Sequence, residues 1–189
     1  LMDGLHPRMA RFVGEVEALM ARETAVAAIL SGVAALAAPL AENRDWLEPR
    51  FYAADEDQGF GISILHQAPE HGLLVETIAW LPGRGVAPHD HQTWGVVVGL
   101  DGAETNVDWR RLDDGATAGF ADLEVAAETV AGPGDCVLLR PDDIHSVRND
   151  GAATALSLHV YGRTLAHMAR SEFDPIAKVQ RPCPQRVRR

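Results

Sequence analysis

The sequence has 189 residues, enough for one domain with a sizeable core, and nothing in it requires a second domain. Its 27 Asp and Glu residues outnumber its 17 Lys and Arg residues, giving a formal net charge of −10, which argues against nucleic acid and anionic membranes as partners. It contains no apolar run of about 18 residues and no charged-then-apolar leader, so we expect a soluble, cytoplasmic protein.

The first 48 residues are predicted to form a helical segment. Apolar residues recur there at three- and four-residue steps, typical of an amphipathic helix: Met9, Phe12, Val13, Val16 and Leu19. An Ala-rich stretch over 24–42 predicts further helix, in which Gly32 and Pro39 are weak points. A pair or a trio of α-helices is therefore expected.

Residues 51–165 read as short β-strands separated by polar turns, and regularly spaced short strands predict a sandwich or barrel. The Asp101-Gly102 step between two such runs predicts a hairpin. The tail, 166–189, has little pattern and is expected either to wrap the barrel or to fray. Its basic end, 186–189, is typical of a solvated chain end. All these parts are expected to form one domain over 1–189.

Three histidines predict a metal site. In an extended strand, His89 and His91 point to the same face because one residue separates them. A Pro-Asp-Asp turn then delivers His145 at the start of a later strand. Three imidazoles with open coordination positions are typical of a catalytic metal site, and Fe, Ni, Mn and Zn can all occupy one. A His-X-His pair alone is also typical of a surface strand, so the prediction depends on the third histidine.

These two histidine segments resemble the paired metal motifs of the cupin superfamily. The resemblance implies a mainly β fold, a cupin (double-stranded β-helix or jelly-roll) barrel following the N-terminal helices. Metal cupins usually carry a glutamate ligand four residues after the second motif histidine, and Gly95 stands at that position here. The absent side chain predicts an empty space beside the metal, with room for a substrate.

The run from Ser157 to Tyr161 makes the resemblance more specific. Together with the histidine motifs, it resembles the bacterial thiol dioxygenases, the cysteine dioxygenase and 3-mercaptopropionate dioxygenase family, over nearly the whole chain. The resemblance implies Fe(II) held by His89, His91 and His145. It also implies a hydrogen-bonded outer-sphere relay formed by Ser157, His159 and Tyr161. The implied reaction oxidises a small thiol, of the 3-mercaptopropionate or L-cysteine type, with O2 to the sulfinic acid.

The relay also has a physical basis. Residues 157, 159 and 161 share one face of a strand, about 6.5 to 7 Å apart per two-residue step, so long side chains can hydrogen-bond along it. A histidine between a hydroxyl and a phenol has its tautomer fixed by those partners. Tyr161 would then present its O–H to the substrate. The alternative is that Ser157 and Tyr161 only satisfy each other inside a barrel.

The sequence departs from the family in two respects. Animal cysteine dioxygenases have a cysteine, shortly after the second metal histidine, that crosslinks to the relay tyrosine; Gly95-Val96 stands here, so no Cys-Tyr crosslink is expected. The family also holds the substrate carboxylate with an arginine or glutamine on an early strand, and the aligned stretch 61–63 has neither. Candidate substitutes are Gln58, Gln67 and Arg163, each also typical of a surface polar residue. Trp94 is a further candidate substrate contact, which either lines the pocket or packs in the core.

Three rival functions remain open at this stage. A metal-binding cupin with a ligand-binding or sensing role would bind metal without oxygen uptake. A cupin isomerase or an oxygenase acting on another substrate would usually retain the motif glutamate. A cupin without chemistry would serve within an oligomer. The sequence does not decide between a monomer and a homo-oligomer.

Overall fold

The computed structural model describes residues 4–189. Two helices, α1 (Pro7–Arg22) and α2 (Val26–Glu42), precede eleven strands within those residues. The strands are β1 (Phe60–Gln67), β2 (Leu74–Trp80), β3 (Gly85–His89), β4 (Gly95–Asp101), β5 (Glu104–Arg111), β6 (Leu123–Ala131), β7 (Cys136–Leu139), β8 (Ile144–Arg148), β9 (Ala155–Tyr161), β10 (Ser171–Asp174) and β11 (Val179–Pro182). Short 3-10 helices occupy Pro49–Tyr52, Pro69–His71 and Leu165–His167.

The strands form two antiparallel sheets with the orders β1-β2-β9-β4-β7 and β11-β10-β3-β8-β5-β6. Their pairing is nested: β2 pairs with β9, β3 with β8, β4 with β7 and β5 with β6. A long hairpin rolled in this way is a jelly roll, the double-stranded β-helix of cupins. The predicted mainly β cupin fold is therefore confirmed.

The N-terminal helices form a pair rather than a trio. All five predicted apolar residues of α1 are buried. Helix α2 continues through both Gly32 and Pro39, and Pro39 lies in its last turn. A Cβ atom at Gly32 would lie 2.6 Å from Leu19 Cδ2. The glycine is therefore the point at which the two helices approach closely, and it does not break α2.

The central strands β2 and β9 of the first sheet are buried on both of their faces. Apolar residues of β9, Leu156, Leu158 and Val160, belong to the hydrophobic cluster that the helices cover. The alternating residues point the opposite way, into the barrel, because successive side chains of a strand face opposite sides. The helices therefore seal the back of the strand whose front face carries His159 and Tyr161.

One further expectation needs correction, and one about the tail is decided. A turn does occur at Asp101-Gly102, where Gly102 has φ +64, but β4 and β5 lie in different sheets, so the turn is a crossover and not a hairpin. Of the two expectations for the tail, the structure shows the first: the tail contributes β10 and β11, which extend the second sheet beyond β3.

The predicted helical segment 1–48 includes residues 1–3, which lie outside the described residues. Neither helix in 4–189 combines the length and apolarity that a membrane crossing needs.

Candidate metal centre

The three predicted metal histidines converge inside the barrel. His89, at the end of β3, is directly opposite His145 of β8 in the antiparallel register. His91 follows His89 by two residues but lies beyond the end of β3. One ligand atom from each of the three lies within 4.8 Å of the others, and all three side chains are buried. Such a cluster can hold one divalent metal ion.

Hydrogen bonds orient two of these imidazoles. His89 Nδ1 lies 2.8 Å from the backbone oxygen of Ala87. His145 Nδ1 lies 2.6 Å from Asn106 Oδ1, while the Asn106 amide donates to Asp108 Oδ1 at 2.9 Å. Because both acceptors are oxygens, Nδ1 must carry the proton in each ring. Nε2 of both rings is therefore left as the metal-ligating lone pair, the arrangement found around protein metal sites.

The third imidazole is held differently. Nδ1 of His91 is buried and has no hydrogen-bond partner among the described residues. Its ring stacks on the ring of Tyr161, with 4.9 Å between centroids and 29° between planes. An orphaned ring nitrogen in a buried three-histidine cluster fits a bound cation, which would compensate part of the desolvation cost. The residues present therefore fit a metal ion.

The environment keeps these histidines neutral. Burial is the main reason that the pKa of His145 falls to about 3, and it also lowers the pKa of His89 and His91 well below the usual range. The nearby Arg170 guanidinium acts in the same direction for all three. Their lone pairs are thus available to a metal at neutral pH, with little competition from protons.

The predicted relay residues form one hydrogen-bonded chain. Ser157 Oγ lies 2.8 Å from His159 Nε2, and His159 Nδ1 lies 2.9 Å from Tyr161 Oη. Burial lowers the pKa of His159 to about 3 and, together with the nearby Glu76 carboxyl, raises the pKa of Tyr161. The imidazole therefore stays neutral and the phenol stays protonated, so Tyr161 can act as a hydrogen-bond donor.

The predicted empty space beside Gly95 is not present. Gly95 lies opposite Tyr161 in the register of β4 and β9, and a Cβ atom at Gly95 would lie 2.8 Å from Cδ1 and Cε1 of the tyrosine ring. The ring of Tyr161 fills the volume that a larger side chain would occupy. Gly95 thus makes room for the tyrosine over His91, and not for a substrate.

Space for a ligand lies in a cavity that the histidines themselves line. The three imidazoles, His159 and Tyr161 line one cavity of about 50 Å³. A water molecule needs about 10–15 Å³ on the same scale, so the cavity suits a ligand of a few heavy atoms. Its remaining walls are mostly apolar, with contributions from Phe60, Ile62, Ile78, Trp80, Val86, Val147 and Leu165.

None of the predicted substrate contacts lines this cavity. Trp94 packs in the cluster under the helices, because residues 94, 96 and 98 point away from the barrel interior that Gly95 faces. Arg163 is exposed, since β9 ends at Tyr161 and the alternation ends with it. Gln67 is exposed at the end of β1 and borders a different depression, beside Trp46. Gln58 instead contacts the tail, where its side-chain oxygen accepts a hydrogen bond from the backbone N–H of Val187.

Several residues of the site were not predicted from the sequence. The cavity is also lined by charged side chains: Glu76, Arg170, Arg186 and Arg188. Asn106 orients His145, and Asp90 accepts the backbone N–H of Ser171 at 2.8 Å, which ties the histidine loop to β10. Glu76 was detectable in principle, because it interrupts the otherwise apolar face of β2 that carries Leu74, Ile78 and Trp80. No sequence pattern indicated the three arginines, because they lie far along the chain from the metal histidines.

No protein-family model matches the chain. Solved structures similar to it include an oxalate oxidase in complex with glycolate, with 16% identity and a TM-score of 0.47 over 62% of this chain and 59% of that chain. Protein TT1209 from Thermus thermophilus has 23% identity and a TM-score of 0.45 over 62% and 95% of the two chains. KdgF from Halomonas sp. has 15% identity and a TM-score of 0.43 over 58% and 85%.

The match thus spans less than two thirds of the oxalate oxidase. The chain is a double-stranded β-helix protein with a buried three-histidine cluster able to hold a metal ion.

Proposed function

We propose that this protein is a non-heme iron thiol dioxygenase, which oxidises a small thiol with O2 to the sulfinic acid. One observation carries the proposal: the hydrogen-bonded chain Ser157–His159–Tyr161 ends in the same buried cavity as the three histidines. A structural role for the serine and tyrosine alone would not need the tyrosine to line the cavity beside a metal cluster.

Fe(II) held by His89, His91 and His145 would supply the electron transfer that dioxygen chemistry requires, together with coordination positions for small ligands. Three neutral imidazoles leave the ion's positive charge uncompensated, so the site favours an anionic donor such as a thiolate. The proposed partners of the protein are therefore a small thiol and O2.

The chain's own residues account for the rest of the chemistry. His159 fixes the orientation of the Tyr161 hydroxyl at 2.9 Å, and the protonated phenol donates a hydrogen bond into the cavity. The apolar wall, with Phe60, Ile78 and Trp80, limits the access of water to the site, which strengthens polar interactions there and protects reactive intermediates from hydrolysis.

The test is oxygen uptake by the Fe(II)-loaded protein with L-cysteine, 3-mercaptopropionate, cysteamine and mercaptosuccinate, with the product identified by mass spectrometry. We expect uptake with at least one thiol and a product heavier by two oxygen atoms. Tyr161→Phe is the matched variant, because it removes one oxygen atom and keeps the ring against His91. Absence of uptake from all four thiols, with iron bound, would contradict the proposal and favour a metal-binding or sensing cupin.

A further inference from the structure

A buried carboxyl group adjoins the inner end of the relay, away from the cavity. Glu104 is the first residue of β5 and is 6% exposed. It shares a strand face with Asn106, whose side-chain oxygen lies 2.6 Å from His145 Nδ1 inside the barrel. The Glu104 side chain therefore points into the barrel, although it does not line the cavity.

Ser157 connects this carboxyl to the relay. Burial raises the pKa of Glu104 to about 7, and hydrogen bonding from the Ser157 hydroxyl and the Trp80 indole N–H opposes that rise. On its other side, Ser157 Oγ lies 2.8 Å from His159 Nε2. Glu104 Oε1 is buried and has no well-aligned hydrogen-bond partner in residues 4–189. A carboxyl group that is incompletely hydrogen-bonded at this depth is stabilised in its neutral form.

No charged group of the described residues is paired with Glu104. The residue opposite it on β6 is Ala131, and the register with β8, continued by one residue, places the neutral Asn149 on its other side. Arg148 of β8 faces outward, where it pairs with two exposed carboxylates. The titratable groups on the inner faces of β2 and β9 are Glu76, His159 and Tyr161. Because none of these is positively charged at neutral pH, they do not favour the ionised form of Glu104.

The relay can adopt two hydrogen-bonding directions, and the protonation state of Glu104 selects one of them. A protonated Glu104 donates to Ser157 Oγ, which donates to His159 Nε2. His159 Nδ1–H then donates to Tyr161 Oη, and the phenol O–H is free to donate into the cavity. An ionised Glu104 accepts from Ser157, so every bond reverses and the phenol O–H points to His159 Nδ1. The reversal transfers one proton along each bond: Glu104 loses a proton, a water or ligand in the cavity gains one, and the three relay residues stay neutral.

We propose that Glu104 is a positioning residue of the relay and that its protonated form directs the Tyr161 O–H into the cavity. What the hydroxyl does there rests on the proposed function, whereas the direction of the hydrogen bonds does not depend on it. Burial can keep a carboxylic acid neutral so that it donates a hydrogen bond. Because the pKa of Glu104 is about 7, the relay should reverse near neutral pH.

The first measurement determines the His159 tautomer directly. Nitrogen-15 NMR of the histidine-labelled, Zn(II)-loaded protein distinguishes a ring nitrogen that carries hydrogen from one that does not, and His159→Asn assigns the signals. Because the pKa of His159 is about 3, a change near neutral pH reports the tautomer and not protonation of the ring. The wild-type protein should carry the hydrogen on Nδ1 at about pH 5.5 and on Nε2 at about pH 8.5, on either side of the Glu104 pKa. Glu104→Gln should keep it on Nδ1 at both pH values, because the amide N–H donates to Ser157 permanently.

Two further variants separate the relay from a general effect of pH. Ser157→Ala interrupts the chain and leaves Glu104 in place, so the His159 tautomer should no longer depend on pH. Glu15→Gln, which removes an exposed carboxylate from α1, is the matched control and should switch like the wild type. A tautomer that still switches in Glu104→Gln or in Ser157→Ala would overturn the proposal, as would a wild-type tautomer that does not switch.

Oxygen uptake by the Fe(II)-loaded protein provides the functional readout. The kcat of the wild type, divided by that of Glu104→Gln, should fall about tenfold per pH unit above 7, because the other titrations are common to both proteins. A ratio that stays constant with pH would contradict a role for Glu104 in the reaction. A tautomer that switches without any oxygen uptake would refute only the dioxygenase, and uptake with a constant tautomer would refute only the positioning role.

Discussion

Gly95→Ala is the substitution that tests the relay most directly without removing any of its groups. The new Cβ would lie 2.8 Å from two carbons of the Tyr161 ring and 3.6 Å from Leu139 Cδ1. Carbon atoms pack best at about 3.5–4.0 Å, so the ring must move by about 0.7–1.2 Å. The tyrosine hydroxyl starts 2.9 Å from His159 Nδ1, and a shift of this size takes the pair to the limit of a hydrogen bond or beyond it.

The expected result is a large loss of activity with a modest loss of stability. Overpacking of this kind costs about 1–3 kcal/mol of unfolding free energy, measurable by urea denaturation. Loss of a positioned hydrogen-bond donor should lower kcat on the order of 100-fold, similar to Tyr161→Phe. The iron content should stay near that of the wild type, because no metal histidine is replaced.

Gly14→Ala provides the matched control. Gly14 is exposed on α1, and a Cβ there would meet no atom within 4 Å in the described chain. This variant should gain roughly 0.5–1 kcal/mol of stability from helix propensity and keep wild-type kcat. If Gly95→Ala also kept wild-type kcat, the tyrosine position would not matter to the reaction and our account of the relay would be refuted.

Three further outcomes are expected. His159→Asn should keep its iron and oxidise thiol slowly, whereas loss of iron would make His159 a ligand. Asn106→Ala removes the acceptor of the His145 Nδ1–H, and should weaken metal affinity by about 10- to 100-fold in a chelator competition assay. Burial raises the pKa of Glu104 from 4.5 to about 7. The folded protein therefore holds the Glu104 proton more tightly than the unfolded chain does, and this contribution to the unfolding free energy is fully present below pH 4.5 and is lost as pH rises through 7. Glu104→Gln should therefore match wild-type stability near pH 4 and exceed it near pH 8 by about 3 kcal/mol; a difference that did not vary with pH would contradict this.

The sequence predicted the structure correctly wherever the residue periodicity of a single helix or strand determines it. The three- and four-residue steps of Met9 and Phe12 predicted the buried face of α1. The two-residue step of β9 predicted that Ser157, His159 and Tyr161 share a face, and their hydrogen bonds follow that order. In both cases the geometry of one element is sufficient, because the neighbours in question lie within a few residues along the chain.

The sequence was uninformative wherever contacts join distant segments. Arg188 reaches the cavity because its neighbour Arg189 pairs with β1, some 125 residues earlier, and no local pattern encodes such a pairing. Arg163 was favoured for its proximity to Tyr161 in sequence, but the strand ends between them. Gly95 was interpreted as an empty space because a missing side chain does not reveal which neighbour fills its volume.

The alternating residues of β9 explain both the position of the helices and the composition of the site. Because β9 is buried on both faces, its Leu156, Leu158 and Val160 need an apolar cover on the side opposite His159. The helix pair supplies that cover, and α2 packs on β4 beside it. Without the helices, this apolar face would meet water, and a slip of one residue would expose the relay and bury leucines in the cavity. The helix pair therefore fixes the register in which the relay faces the histidines, although no residue of α1 or α2 lines the cavity.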